Sequence, residues 1–199
     1  MLNGRVTFKI EQVVGDGASN SLPIFSSRLY HEVKSIRDFL GHLHVKRALE
    51  LGCGYGRLTP WISEFADEMF MVEPEHKLAE EAIRLYPSFI YAFVTVDEMT
   101  FPDKYFGLIV SWTVLQHISP TKIEASINEI KRVAEDDATI LLAEHTRPTS
   151  SPTTWGRSIE EYTTLFAPFK LVRHEPRKIE VSRSGFFGDV MKFEKVERI

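Results

Sequence analysis

Four residues spaced by two, Glu50, Gly52, Gly54 and Gly56, stand in the run Leu49-Glu50-Leu51-Gly52-Cys53-Gly54-Tyr55-Gly56-Arg57. An apolar strand-like stretch precedes this run and a helix-like stretch follows it. Glycines in that context have a physical role, because without side chains they let the chain turn sharply and let a ligand come up against main-chain atoms. Amides exposed at the start of the next helix can receive a carboxylate or a phosphate. Glu73 lies 21 residues after Gly52, in Phe70-Met71-Val72-Glu73-Pro74, and a carboxylate can accept hydrogen bonds from two adjacent hydroxyls. A dinucleotide fingerprint would read Gly-x-Gly-x-x-Gly; here the third glycine comes one residue early and an acid precedes the first.

His117 and His145 each follow a strand-like segment near its carboxyl end, where substrates of α/β proteins lie, and imidazole titrates near neutrality. They are the candidate bases, and ordinary strand-end or helix-start histidines are the other reading. Trp112, Tyr30, Tyr55, Trp155 and Phe25 are candidates to wall a pocket, although aromatic residues beside a sheet are more often core. Arg57 and Arg157 are either surface charges or partners of carboxylates. His31, His42, His44, His76 and Cys53 have no metal-ligand spacing tied to a catalytic acid, so no metal is expected.

These residues must be positioned by alternating elements. The periodicity predicts a helix over Ser26 to Leu43, then strands at Val45–Leu51, Glu68–Val72, Phe89–Thr95, Leu108–Ser111 and Thr139–Glu144. Helices are predicted between them at Arg57–Ala66, Glu75–Leu85 and Pro120–Ala134, the last with Ser119 as its cap. Ser158 and Glu161 form a capping box that opens a helix through Phe166. Lys170–Glu180 and Asp189–Val196 complete seven strands as an antiparallel edge hairpin across Ser182-Arg183-Ser184-Gly185. Alternation of this kind builds a mostly parallel α/β sheet with helices on both faces. One domain is expected, with a flexible arm over residues 1–25, a ligand-binding core over 26–145, and a C-terminal part over 146–199 carrying a loop on the substrate side.

Glu50-x-Gly-x-Gly-x-Gly resembles motif I of the class I S-adenosylmethionine-dependent methyltransferases, in their small, type 11-like form. The resemblance continues through Glu73, through Val94-Thr95-Val96-Asp97-Glu98-Met99-Thr100-Phe101-Pro102-Asp103, and through Val114-Leu115-Gln116-His117-Ile118. It implies a Rossmann-like fold and S-adenosylmethionine as cofactor, leaving as S-adenosylhomocysteine. Glu50, Leu51, Gly52, Cys53, Gly54, Tyr55, Gly56 and Arg57 would then cradle it, and Glu73 with Pro74 would meet its ribose. Asp97, Glu98 and Met99 would lie along the adenine, with Ser111 and Trp112 at the end of the fourth strand. The family's usual Phe-Asp pair is Phe106-Gly107 here.

With 43% hydrophobic and 26% charged residues in 199, the chain has the balance of one globular domain. A net charge of -4 does not favour nucleic acid as partner. The single cysteine excludes an internal disulfide and fits a cytoplasmic setting, and no apolar run is long enough to span a membrane. The function expected is methyl transfer to a small-molecule acceptor by in-line displacement. A catalytically silent cofactor-binding partner or regulatory protein is the alternative, and an NAD-linked oxidoreductase a more distant one.

Overall fold

Side chains along β1 (Val45–Leu51) alternate between two cores. Leu49 and Leu51 enter one apolar cluster and Ala48 the other, as the two-residue period of a strand requires. The computed structural model describes residues 22–149, 151–177 and 188–195, with side chains from Arg28 onward. β2 (Ala66–Val72), β3 (Ile90–Ala92), β4 (Phe106–Trp112), β5 (Ala134–His145), β6 (Lys170–Pro176) and β7 (Gly188–Glu194) join β1 in a seven-stranded sheet. Its order is β3-β2-β1-β4-β5-β7-β6.

The first five strands pair in parallel, whereas β7 runs antiparallel to both β5 and β6. The sheet is therefore Rossmann-like and mostly parallel with an antiparallel edge pair, as expected. The order in which successive strands join the sheet reverses between β1 and β4, which makes the crevice outside their carboxyl ends the natural ligand site.

Among the described residues five helices cover the sheet: α1 (Leu22–Leu40), α2 (Thr59–Ile62), α3 (His76–Leu85), α4 (Ile123–Val133) and α5 (Ile159–Leu165). Ile36, Phe39 and Leu40 of α1 and Ile62 of α2 pack with Ala48, Met69, Met71, Leu108 and Val110. On the opposite face Ile123, Ile127 and Ile130 of α4 and Tyr162 of α5 pack with Leu49, Leu51, Ile109, Ile140 and Leu142. Among the described residues no helix is long and apolar enough to cross a membrane.

Several boundaries differ from the sequence-based expectations for local reasons. α1 starts at Leu22, within the expected arm, and stops at Leu40, where Gly41 takes a left-handed φ of +59° and its N–H bonds Arg37 O. Residues 1–21, the rest of that arm, lie outside the described residues. The helix expected over Arg57–Ala66 shrinks to α2 and a 3-10 turn at Ser63–Phe65, because Ala66 already opens β2. β3 ends at Ala92, short of the expected Thr95, and a 3-10 turn follows at Val96–Glu98.

Ser119 does not cap α4. Its carbonyl accepts from the N–H groups of Lys122 and Ile123, so a separate turn precedes the helix. The capping box of Ser158 and Glu161 forms as expected at the start of α5. The hairpin connection at 182–185 lies outside the described residues.

Candidate active site

Gly52 and Gly54 both stand at φ +59° and Gly56 at +83°, so the loop after β1 requires the left-handed backbone that glycine adopts without penalty. The turn brings Gly54 N to Glu73 Oε2 at 2.9 Å, while Glu75 N donates to Oε1 at 2.9 Å. One backbone N–H on each oxygen fixes the buried carboxylate and leaves a lone pair free on both, the arrangement needed to accept two neighbouring hydroxyls. Burial raises the pKa of Glu73 and those two N–H groups oppose the rise.

Beneath the loop, Glu50 is buried and accepts from Thr59 Oγ1 at 2.5 Å. Burial pushes its carboxyl up to about 7, against the Thr59 hydrogen bond and the charge of Arg57. Leu51 is fully buried, and Cys53 is buried with its N–H on Val72 O. Tyr55 places its hydroxyl out of solvent without a hydrogen-bond partner, and Pro74 is half-buried. A left-handed glycine cradle with an orphaned hydroxyl and a half-occupied carboxylate fits a polar, hydroxyl-bearing ligand.

The N-terminal helix α1 closes this loop from above. Its Glu32 is 1% exposed and accepts from Arg28 Nε at 3.0 Å, from Trp112 Nε1 at 3.1 Å, and from both terminal nitrogens of Arg57. Burial alone would raise the Glu32 carboxyl, but Arg57 and Arg28 overcome that and hold it below the ordinary value. Arg57 thus meets a carboxylate of its own chain, and Trp112 serves the same cluster while packed in the core. Tyr30, by contrast, is 63% exposed.

Both histidines sit on the adjoining strand ends. Glu144 is wholly buried at the end of β5, and its carboxylate accepts from Ser111 Oγ at 2.6 Å and from the N–H groups of Val114, Leu115 and Gln116. It therefore holds the 3-10 turn Leu115–His117 in place. Arg157, buried and not a surface charge, supports the same turn by donating to the carbonyls of Leu115, Ile118 and Trp155.

Gln116 then links the two histidines: its Nε2 is 3.1 Å from His117 Nε2, and its Oε1 accepts from His145 N at 3.0 Å. His117 Nδ1 lies 2.7 Å from Thr153 O. Burial lowers the pKa of His117, with the Thr153 carbonyl opposing and His145 adding to the fall. Burial likewise lowers His145, opposed by a hydrogen bond that its ring donates to the Arg147 backbone and helped by Arg177. Both imidazoles are consequently neutral at pH 7.

The other expected contacts are more dispersed. Asp97 pairs with Lys122 Nζ at 2.8 Å, and Glu98 accepts from Thr95 Oγ1 at 2.8 Å at the surface. Met99 is packed into the core beneath that turn, so its side chain serves packing here. Ser111 is turned to Glu144. Gly107 lies at the amino end of β4, the edge of the sheet away from the glycine loop, where a Cβ would stand 3.0 Å from Val45 and 3.2 Å from Glu135 Oε2. Its departure from the family pattern is thereby remote from the site.

Sequence reasoning left out Arg28, Glu32, Glu144 and Arg177. The four-residue spacing of Arg28 and Glu32 was a usable signal for a pair, and Glu144 directly precedes a candidate base; nothing in the sequence marked Arg177.

A sequence model described as a methyltransferase domain matches residues 25–180. The chain belongs to this methyltransferase family. It is a class I methyltransferase whose cofactor is S-adenosylmethionine.

Similar solved structures agree on the fold. The PH0226 protein from Pyrococcus horikoshii superposes with a TM-score of 0.73 at 14% identity, covering 96% of this chain and 100% of that one. An S-adenosylmethionine-dependent methyltransferase from Leishmania major gives 0.71 at 18% identity over 83% of this chain and 72% of that one. The 1,6-didemethyltoxoflavin-N1-methyltransferase of Burkholderia thailandensis, crystallised with S-adenosylhomocysteine, gives 0.67 at 17% identity over 86% and 80%. No curated protein matches this methyltransferase in sequence.

Proposed function

We propose that this methyltransferase acts in the cytoplasm on a small-molecule acceptor, by in-line displacement. The observation that carries the reading is the closed cluster on the ligand edge, where α1 seals the glycine loop through Glu32, Arg28, Arg57 and Trp112 beside two neutral histidines. A roofed site of this kind suits an acceptor that can be enclosed, and the net charge of -4 gives no general attraction for a polyanion. The Burkholderia neighbour acts, by its name, on 1,6-didemethyltoxoflavin, which is consistent with this class of acceptor. The lone, buried Cys53 fits a reducing compartment.

When bound, S-adenosylmethionine supplies an electrophilic methyl group on a sulfonium. The glycine loop from Glu50 to Arg57 would hold its amino-acid end, Glu73 with Pro74 its ribose, and the turn of Asp97, Glu98 and Met99 its adenine side, with Ser111 and Trp112 at the β4 end. What the protein must then do is align the acceptor and exclude water. An acceptor whose nucleophilic atom carries a proton would have to pass it to a base of the protein. His117 and His145, neutral at pH 7, are the groups able to take that proton.

The test is twofold. Calorimetric titration with S-adenosylhomocysteine, with NAD as control, is expected to show saturable binding of the former only, weakened by Glu73→Ala. Incubation with methyl-labelled donor and separate pools of metabolites, RNA and protein is expected to label a metabolite. Label confined to RNA or protein overturns the acceptor class.

A further inference from the structure

Arg177 follows the carboxyl end of β6, where its backbone N–H bonds Gly188 O, and Gly188 is the pairing partner of His145. Its Nε and Nη1, which carry the majority of its N–H donors, are buried and have no hydrogen-bond acceptor. An arginine cannot shed its proton to escape that position, and unpaired donors on a buried cation are among the costliest groups a fold can hold.

Its neighbours cannot neutralise it. The acids whose charges reach Arg177 are Glu32 and Glu144. Glu32 is already taken by Arg28, Arg57 and Trp112, and Glu144 by Ser111 and three backbone N–H groups. Arg28 and Arg57 also face Arg177 and add positive charge. Around Arg177, three guanidinium groups thus face two carboxylates, a small cationic excess at this point of the sheet.

Position separates the Arg177 backbone from the glycine loop, although its charge is felt by Glu32, Arg28 and Arg57. The glycine loop follows β1, and β6 lies four strands away in the order β1-β4-β5-β7-β6. At about 4.8 Å per strand the two backbones are roughly 19 Å apart. Arg177 therefore approaches the crevice from the far side, beside His145, and the amino-acid end of the cofactor has Arg57 and Arg28 nearer to the loop.

We propose that Arg177 is the anion receptor of the acceptor pocket, and that the acceptor is a small organic acid whose carboxylate it holds while the nucleophilic atom is presented near His145. This rests on the small-molecule reading above and names its chemical class. Charge-assisted hydrogen bonds from guanidinium to carboxylate are strong and directional, so such a contact fixes both the affinity and the pose of the acceptor.

The test uses the full chain saturated with S-adenosylhomocysteine, with acetate, benzoate and glutarate as probes and their amides as controls, followed by ligand-observed NMR. At least one carboxylate is expected to bind in preference to its amide. Arg177→Gln is expected to weaken it tenfold or more, with S-adenosylhomocysteine affinity unchanged within twofold. Arg177→Lys, which keeps the charge and loses the planar donors, should fall between.

Thermal melts of both variants accompany the titrations, and Arg177→Lys serves as the deciding variant if Arg177→Gln does not fold. Carboxylate binding absent in the unaltered protein, or equal in the variants, overturns the proposal. A loss of S-adenosylhomocysteine affinity on substitution overturns it too, by assigning Arg177 to the cofactor. Failure of the unaltered protein to bind S-adenosylhomocysteine would instead strike at the reading on which the proposal rests.

Discussion

The side chain of Val114 occupies the space a Cβ on residue 52 would need: an ideal Cβ built on Gly52 stands 2.6 Å from Val114 Cγ2. The loop after β1 and the turn after β4 are thus fitted to each other across the switch point. Gly52→Ala would combine a left-handed alanine, costing about 1 kcal/mol, with an overpacked contact costing about 2 kcal/mol. The expected result is a melting temperature lower by roughly 10 °C and loss of S-adenosylhomocysteine binding by calorimetry. Retention of both would show that Val114 gives way freely.

Val114 is delivered to that place by its neighbour. Thr113 has φ +61°, a left-handed conformation that a β-branched residue adopts only at a cost of about 1–3 kcal/mol. Its N–H bonds Ala143 O and its hydroxyl bonds Trp112 O, so the surrounding strands hold it there. Thr113→Asn, which tolerates this backbone, is expected to raise stability by about 1 kcal/mol in urea titrations. An unchanged or lower midpoint would remove the case for strain at this turn.

Glu32 is the hub of the α1 closure, and its partners are only slightly exposed, with Arg57 12% accessible along its side chain. Truncating one member of a buried pair leaves the other charges uncompensated, at a cost of about 3–5 kcal/mol. Glu32→Ala should accordingly lower stability by about that amount, and added salt should restore little of it because buried charges are weakly screened. A loss below about 1 kcal/mol, the range of an exposed pair, would mean that α1 is held by its apolar face alone.

The sheet was legible because its strands announce themselves: Val45–Leu51 was read at its observed bounds from an apolar stretch ending in glycines, and Glu73 lies directly after the second strand, against the glycine loop. Helix ends were less legible. Whether Ala66 ends a helix or begins a strand depends on pairing with Val45, a contact distant in sequence.

The same applies to the site's second layer. Glu32 looks like a residue of α1's polar face, and only the docking of that helix over Arg57 buries it. Arg157 looks like a surface charge until the turn it supports is folded beside it. Burial of polar groups is a tertiary property, and a local pattern does not carry it.

Glu50 gives the protein a distinct pH dependence. Its carboxyl titrates near 7 in the fold, against an ordinary value of 4.5, because burial disfavours its charge. Between those values the folded state holds a proton that the unfolded state has released, so stability falls as pH rises. The contribution is fully present below pH 4.5 and lost above about 7, a total on the order of 3 kcal/mol. Glu73 and Glu144 are raised by burial as well and add slope of the same sign. Glu50→Gln, which cannot ionise, is expected to flatten the decline between about pH 5 and 7 by about 1.4 kcal/mol per pH unit, and to leave the variant as stable as the parent or more so at about pH 8. Urea titrations of both proteins at roughly pH 5, 6, 7 and 8 measure this directly; identical slopes would show that Glu50 is ionised in the fold and that Thr59 and Arg57 outweigh its burial.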